Sequence, residues 1–121
     1  MLTQDFQQDF GEFLAASTIR FLATLVDADE LPLQASALTT CTLMVYDLGT
    51  GLTEQLPKTD VRSFVVAGVL DYALPPSASA ILDPLHYKEP KAALLEWTYN
   101  AGQDANGFRA LFTVVNDPKR V

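Results

Sequence analysis

The sequence predicts an all-β domain built from two packed sheets. Three observations carry that expectation. Apolar residues alternate with polar ones at period two through most of the chain. Threonine, β-branched and aromatic residues crowd those stretches, and Gly, Pro, Asp and Asn interrupt them at short intervals. The 121 residues fit one domain, long enough to bury a core without disulfides or metal.

The first sixteen residues depart from this pattern. Leu2, Phe6, Phe10, Phe13 and Leu14 recur at helical spacing with Gln and Asp between them, which reads as an N-terminal arm or short amphipathic helix. Gly11 weakens it, and so short a helix needs a surface to pack on, either its own sandwich or a neighbour.

From Ser17 the period becomes two. Ile19, Phe21, Ala23 and Leu25 alternate with Thr18, Arg20, Leu22 and Thr24 in a first strand, broken by Asp27-Ala28-Asp29-Glu30. A second strand spans about Leu38 to Tyr46, with Cys41, Leu43 and Val45 on one face and Thr40, Thr42, Met44 and Tyr46 on the other. Asp47 to Gly51 supplies turn chemistry. Gly51 to Ser63 is polar, with room for one short edge strand. Phe64 to Leu74 is strand-like, with Leu70, Tyr72 and Leu74 on one face, and Pro75-Pro76 ends it. Ser77 to Leu82 suits one helical turn capped by Ser77, in a crossover between sheets.

The last third is the clearest. Ala93, Leu95, Trp97 and Tyr99 form one alternating run and Phe108, Ala110, Phe112 and Val114 another. They are joined as a hairpin by Ala101 to Gly107, an exposed tip that offers Gln103, Asp104 and Asn106 for contact. Trp97 reads as the core anchor. Roughly six or seven short strands separated by turns argue an immunoglobulin-like two-sheet sandwich, with a small β-barrel as the alternative. No internal repeat or linker is visible, so residues 1–16 read as an arm and 17–121 as the sandwich domain.

The side chains offer no catalytic set. His86 is the one histidine and no serine sits in a nucleophile elbow, so a loop position is expected for it. One Cys and one His cannot build a zinc site. Asp27, Asp29 and Glu30 lack calcium-loop spacing and read as an acidic turn. Gly49-Thr50-Gly51 is too short for a phosphate cradle. No enzyme activity, cofactor or metal is expected. Cys41 lies in a strand and is expected to be a buried, inert thiol.

A net charge of −7 repels phosphate backbones, so no direct nucleic-acid partner is expected. No basic leader opens the chain and no apolar run approaches membrane-spanning length, so the expectation is synthesis in the cytosol without membrane insertion. The apolar fraction is 49%, which either fills the core well or leaves apolar surface for neighbouring subunits.

Several stretches carry a resemblance. They are the first strand followed by Asp27-Ala28-Asp29, then Thr42-Leu43-Met44-Val45-Tyr46-Asp47 with Thr50-Gly51, and Tyr72-Ala73-Leu74-Pro75 leading to Ala80-Ile81-Leu82-Asp83. The last is Ala93-Leu94-Leu95-Glu96-Trp97-Thr98-Tyr99 with Phe112-Thr113-Val114-Val115-Asn116. Over roughly residues 17 to 118 the chain resembles small immunoglobulin-like structural proteins of tailed bacteriophages and prophages. The resemblance implies a virion protein, such as a capsid decoration subunit or a head, neck or tail component. Its implied partners are other virion proteins (capsid, portal, neck or tail) and copies of itself. On this reading Leu2, Phe6, Phe10, Phe13, Gln103, Asp104 and Asn106 bind partners. A host-surface or carbohydrate-binding adhesin is the competing expectation. It would want exposed aromatics gathered on one rim, and Tyr46, Tyr72, Tyr87 and Tyr99 are scattered in sequence.

Overall fold

The computed structural model describes residues 7–49 and 51–116. Within them lie β1 (Gln7–Leu14), β2 (Ile19–Thr24), β3 (Leu38–Asp47), β4 (Glu54–Asp60), β5 (Val65–Val66), β6 (Val69–Leu74), β7 (Lys88–Tyr99) and β8 (Asp104–Val115). They form a five-stranded sheet in the order β1-β8-β7-β3-β4 and a three-stranded sheet in the order β2-β6-β5. The chain is therefore an all-β, two-sheet sandwich, as the alternation predicts.

The inner faces follow parity. Ile19, Phe21 and Ala23 of β2 and Leu70 and Leu74 of β6 meet Cys41, Leu43 and Val45 of β3, Ala93, Leu95 and Trp97 of β7, and Phe108, Ala110, Phe112 and Val114 of β8 in one cluster. Trp97 is fully buried at its centre. Its Nε1–H donates to the Val26 carbonyl at 3.1 Å, and its ring meets Phe108 edge-on at 6.3 Å. The buried indole thus has the polar partner that burial demands. Cys41, its cross-strand neighbour, is buried as expected, and burial with the nearby Asp60 charge pushes its thiol up to about 11. That thiol stays protonated and unreactive at neutral pH.

The expected N-terminal helix is corrected over its described part. Residues 7–14 form a strand that pairs in parallel with β8. Asp9 faces Leu111 and Glu12 faces Thr113, so β1 carries one extra residue at this point, with Gly11 at φ +92°. A bulge turns the two-residue period of a strand into three across the insertion. That is the spacing that imitates a helix between Phe10 and Phe13. Phe13 is half-buried, edge-on to Phe112 at 6.2 Å.

Three further differences have local causes. The stretch Phe64 to Leu74 is two strands, because Ala67 and Gly68 both take positive φ and close a two-residue hairpin between Val66 and Val69. A Cβ on Gly68 would lie 2.7 Å from Pro32 Cβ, so glycine is required there for space as well as for backbone. The turn before β7 is a 3-10 turn at Pro76–Ser79 that starts from Pro75 with no side-chain cap, so Ser77 is not its cap. The final hairpin pairs out to Tyr99 opposite Asp104, which shortens the expected tip to residues 100–103.

Candidate functional site: an apolar loop on a buried charge cluster

At the end of the sandwich away from the final hairpin, the inner faces turn polar. Inward parity continues backwards along β7 from Trp97, Leu95 and Ala93 to Lys91 and Glu89, and forwards along β3 from Val45 to Asp47. All three charged residues are buried, with Lys91 and Asp47 fully so. Asp47 and Lys91 are register partners. Lys91 Nζ donates to Asp47 Oδ1 and to Glu89 Oε1, each at 2.8 Å. A buried ammonium or carboxylate is tolerated only with such pairing.

Glu89 ties this cluster to the surface. Its Oε1 also accepts the Leu82 N–H at 2.8 Å, and its Oε2 accepts the Asp83 N–H at 3.0 Å. His86 Nδ1 lies 2.8 Å from Oε2. Burial pushes the Glu89 carboxyl up, but these hydrogen bonds from Lys91, Leu82, Asp83 and His86 outweigh it and hold the pKa down to about 2.

The loop is closed further by its own bonds. Asp83 Oδ1 accepts the Leu85 N–H, the Asp83 carbonyl accepts the His86 N–H, and the Tyr87 carbonyl accepts the Asn116 N–H. The backbone of residues 82–87 is thereby held in place while Leu82, Leu85 and Tyr87 face solvent. Leu85 is 91% exposed, Tyr87 62% and Leu82 40%. A rigid segment that presents apolar side chains gives up little conformational entropy when something binds it.

The residues expected from sequence to bind partners divide across the molecule. Leu2 and Phe6 lie outside the described residues. Phe10 lies within β1. Phe13 packs inward on Phe112, while its neighbour Leu14 is exposed beside the loop end. Lys88, the first residue after the loop, pairs with Glu12 of β1 at 2.7 Å. Gln103 and Asp104 are exposed at the opposite end of β7, and Asn106 is half-buried with its Oδ1 accepting the Gly107 N–H. The hairpin tip and the β1 edge therefore do not form one surface, and the loop between them in sequence is not among the expected partner-binding residues.

His86 sits on the loop as expected from its sequence context, but with carboxylates on both ring nitrogens: Glu89 at 2.8 Å and Asp83 at 3.5 Å. Asp27 caps its own turn, accepting the N–H groups of Asp29 and Leu31. Among the described residues no group of three or more His, Cys, Asp and Glu side chains is arranged to hold a metal ion. No helix among them is long and apolar enough to cross a membrane. The four tyrosines occupy β3, β6, the loop before β7 and the end of β7, and Tyr72 is packed edge-on against Phe64. Comparison of the sequence with protein-family models and with curated proteins gives no match.

Proposed function

We propose that this chain is a non-enzymatic, protein-binding subunit of a tailed-phage virion, with an immunoglobulin-like fold. The observation that carries the binding reading is the ordered loop at 82–87, which holds Leu82, Leu85 and Tyr87 out in water on a buried carboxylate. An apolar set of this kind suits a protein partner better than a sugar or a nucleic acid. The net charge of −7 weighs further against nucleic acid.

The strand order supports the immunoglobulin-like part of the reading. The three-stranded sheet β2-β6-β5 and the larger sheet with β8-β7-β3 at its middle correspond to the B-E-D and G-F-C groupings of that fold. The virion assignment rests on the resemblance of residues 17 to 118 to phage immunoglobulin-like structural proteins.

The test is incorporation into particles. Leu85→Asp and Tyr87→Ser, together, leave every core and cluster residue in place. A variant that melts like the parent but no longer appears in purified particles, counted against the major capsid protein, supports the loop as the contact. Normal incorporation sinks that assignment. Absence of the parent chain itself from particles sinks the virion reading.

A further inference from the structure

The Asp47–Glu89–Lys91 cluster contains more than a salt bridge requires. An amine, a carboxyl carbon and a second carboxylate stand on one inner face, all buried. Lys91 is on the central strand of the three that meet here, opposite Asp47 on β3 and opposite Phe112 on β8. Glu89 is two residues back on the same face, opposite Val114. Phe112 and Val114 are themselves buried and belong to the apolar core. The nucleophilic nitrogen is thus held 2.8 Å from an oxygen of the carboxyl group it would attack and 2.8 Å from an oxygen of a proton acceptor, in a place from which solvent is largely excluded.

We propose that Lys91 and Asp47 condense spontaneously into an intramolecular isopeptide bond, with Glu89 carrying the protons. The carboxylate of Glu89, 2.8 Å from Nζ, takes a proton from the Lys91 ammonium and leaves a neutral amine. The nitrogen lone pair attacks Cγ of Asp47. Oδ2 of Asp47 accepts the backbone N–H of Gly49 at 3.0 Å, so a donor is in place where negative charge develops. Oδ1, the oxygen that faces Lys91, departs. Two protons in turn pass from Nζ through Glu89 to that oxygen, which leaves as water, and Glu89 ends ionised as it began. One ammonium and one carboxylate become one amide and one water, so atoms and charge balance without any oxidant or co-reactant.

Two physical terms favour the step here that do not favour it in water. Holding the reacting groups in contact supplies effective molarities on the order of 10⁵–10⁸ M. Burial penalises the ion pair that is consumed and not the neutral amide that is formed. Gly49, two residues from Asp47, is exposed, so the released water has a short way out. The product joins β3 to β7, the two strands on which the core and the loop before β7 are built.

The experiment is the mass of the full-length protein under denaturing conditions after incubation at neutral pH, with the N-terminus fixed by peptide mapping. The expected result is a mass below that of the sequence by one water. A tryptic map should then hold a branched peptide that joins the Asp47 segment to the Lys91 segment, uncut after Lys91. Lys91→Arg, Asp47→Ala and Glu89→Gln should each run at their full sequence mass. The parent protein decides the matter even if a variant does not fold. A parent chain at full mass, with Asp47 and Lys91 recovered in separate peptides, overturns the proposal. So does a loss of water that maps to any other pair of residues.

Discussion

Lys91 and Asp47 face each other across neighbouring antiparallel strands, fully buried, with Nζ 2.8 Å from Oδ1. Elsewhere Arg20 of β2 and Asp71 of β6 pair diagonally across neighbouring antiparallel strands, Arg20 standing opposite Ala73 and Asp71 opposite Leu22, joined by two hydrogen bonds but with side chains 69% and 43% exposed. The two pairs look alike in a contact diagram and differ in their consequence for the fold.

Removing one partner of the buried pair strands the others. Lys91→Ala leaves the buried Asp47 and Glu89 carboxylates without the ammonium between them, a loss of ~3–5 kcal/mol. Arg20→Ala is expected to cost far less, since water replaces the lost partner. Urea melts of the two variants beside the parent check this. Equal losses would show that burial is not what distinguishes the pairs.

Glu89 makes the fold sensitive to acid. Its folded pKa, about 2, lies below its ordinary value of 4.5. A depressed carboxylate contributes stability that is complete above the unfolded pKa and is lost as pH falls through the folded one. Stability should therefore fall between about pH 4.5 and pH 2. The sign is the same whether Lys91 donates from an ammonium or from an amide, because Leu82, Asp83 and His86 hold the carboxylate in either case. Glu89→Gln should flatten this limb of the pH profile, measured by melting temperature against pH. An unchanged acid limb would remove Glu89 from the account.

The division between what the sequence made legible and what it hid follows one physical rule. Where an apolar face alternates without interruption, as in Ile19–Thr24, Cys41–Val45 and Ala93–Tyr99, parity alone predicts strand, face and core, and Trp97 falls where expected. β1 was hidden because the bulge at Gly11 changes the spacing of its apolar residues. The β5–β6 turn was hidden because Ala67 takes positive φ without the Asn or Asp that usually marks such a hairpin. The charge cluster did leave a signal. Glu89 and Lys91 have the parity of Ala93, Leu95 and Trp97, and Asp47 has that of Cys41, Leu43 and Val45. Asp47 reads from the sequence as part of a turn, and only the register that sets it against Lys91 shows that the charges neutralise one another inside.

Trp97 packs in the core between the two sheets and hydrogen-bonds Val26, just beyond the end of β2. Trp97→Ala removes a fully buried indole and leaves the Val26 carbonyl with Asn106 Nδ2 at 3.5 Å as its remaining side-chain donor. The expected cost is ~3–5 kcal/mol, a large part of a small domain's stability. Tryptophan emission of the parent should be blue-shifted and poorly quenched by acrylamide. Red, readily quenched emission would place the ring at the surface.

The N-terminal strand decides whether the chain stays a closed unit. β1 covers one edge of the large sheet along Arg109 to Val115, and it is secured by Phe13 on Phe112 and by the Glu12–Lys88 pair. A chain beginning at Ser17 loses all three. Phe13 is half-buried, so its loss alone costs about half of the ~3–5 kcal/mol for truncating a fully buried Phe. The truncated chain is therefore expected to melt several degrees lower than the parent. The uncovered edge of β8 then presents unpaired N–H and C=O groups to other chains, the usual route to edge-to-edge association. Light scattering should show concentration-dependent association of the truncated chain that the parent lacks. A truncated chain that melts with the parent and stays in the parent's oligomeric state would mean that β1 contributes nothing to the sandwich. The stripe Leu2, Phe6, Phe10 and Phe13 would then be left with a role only in contacts between subunits.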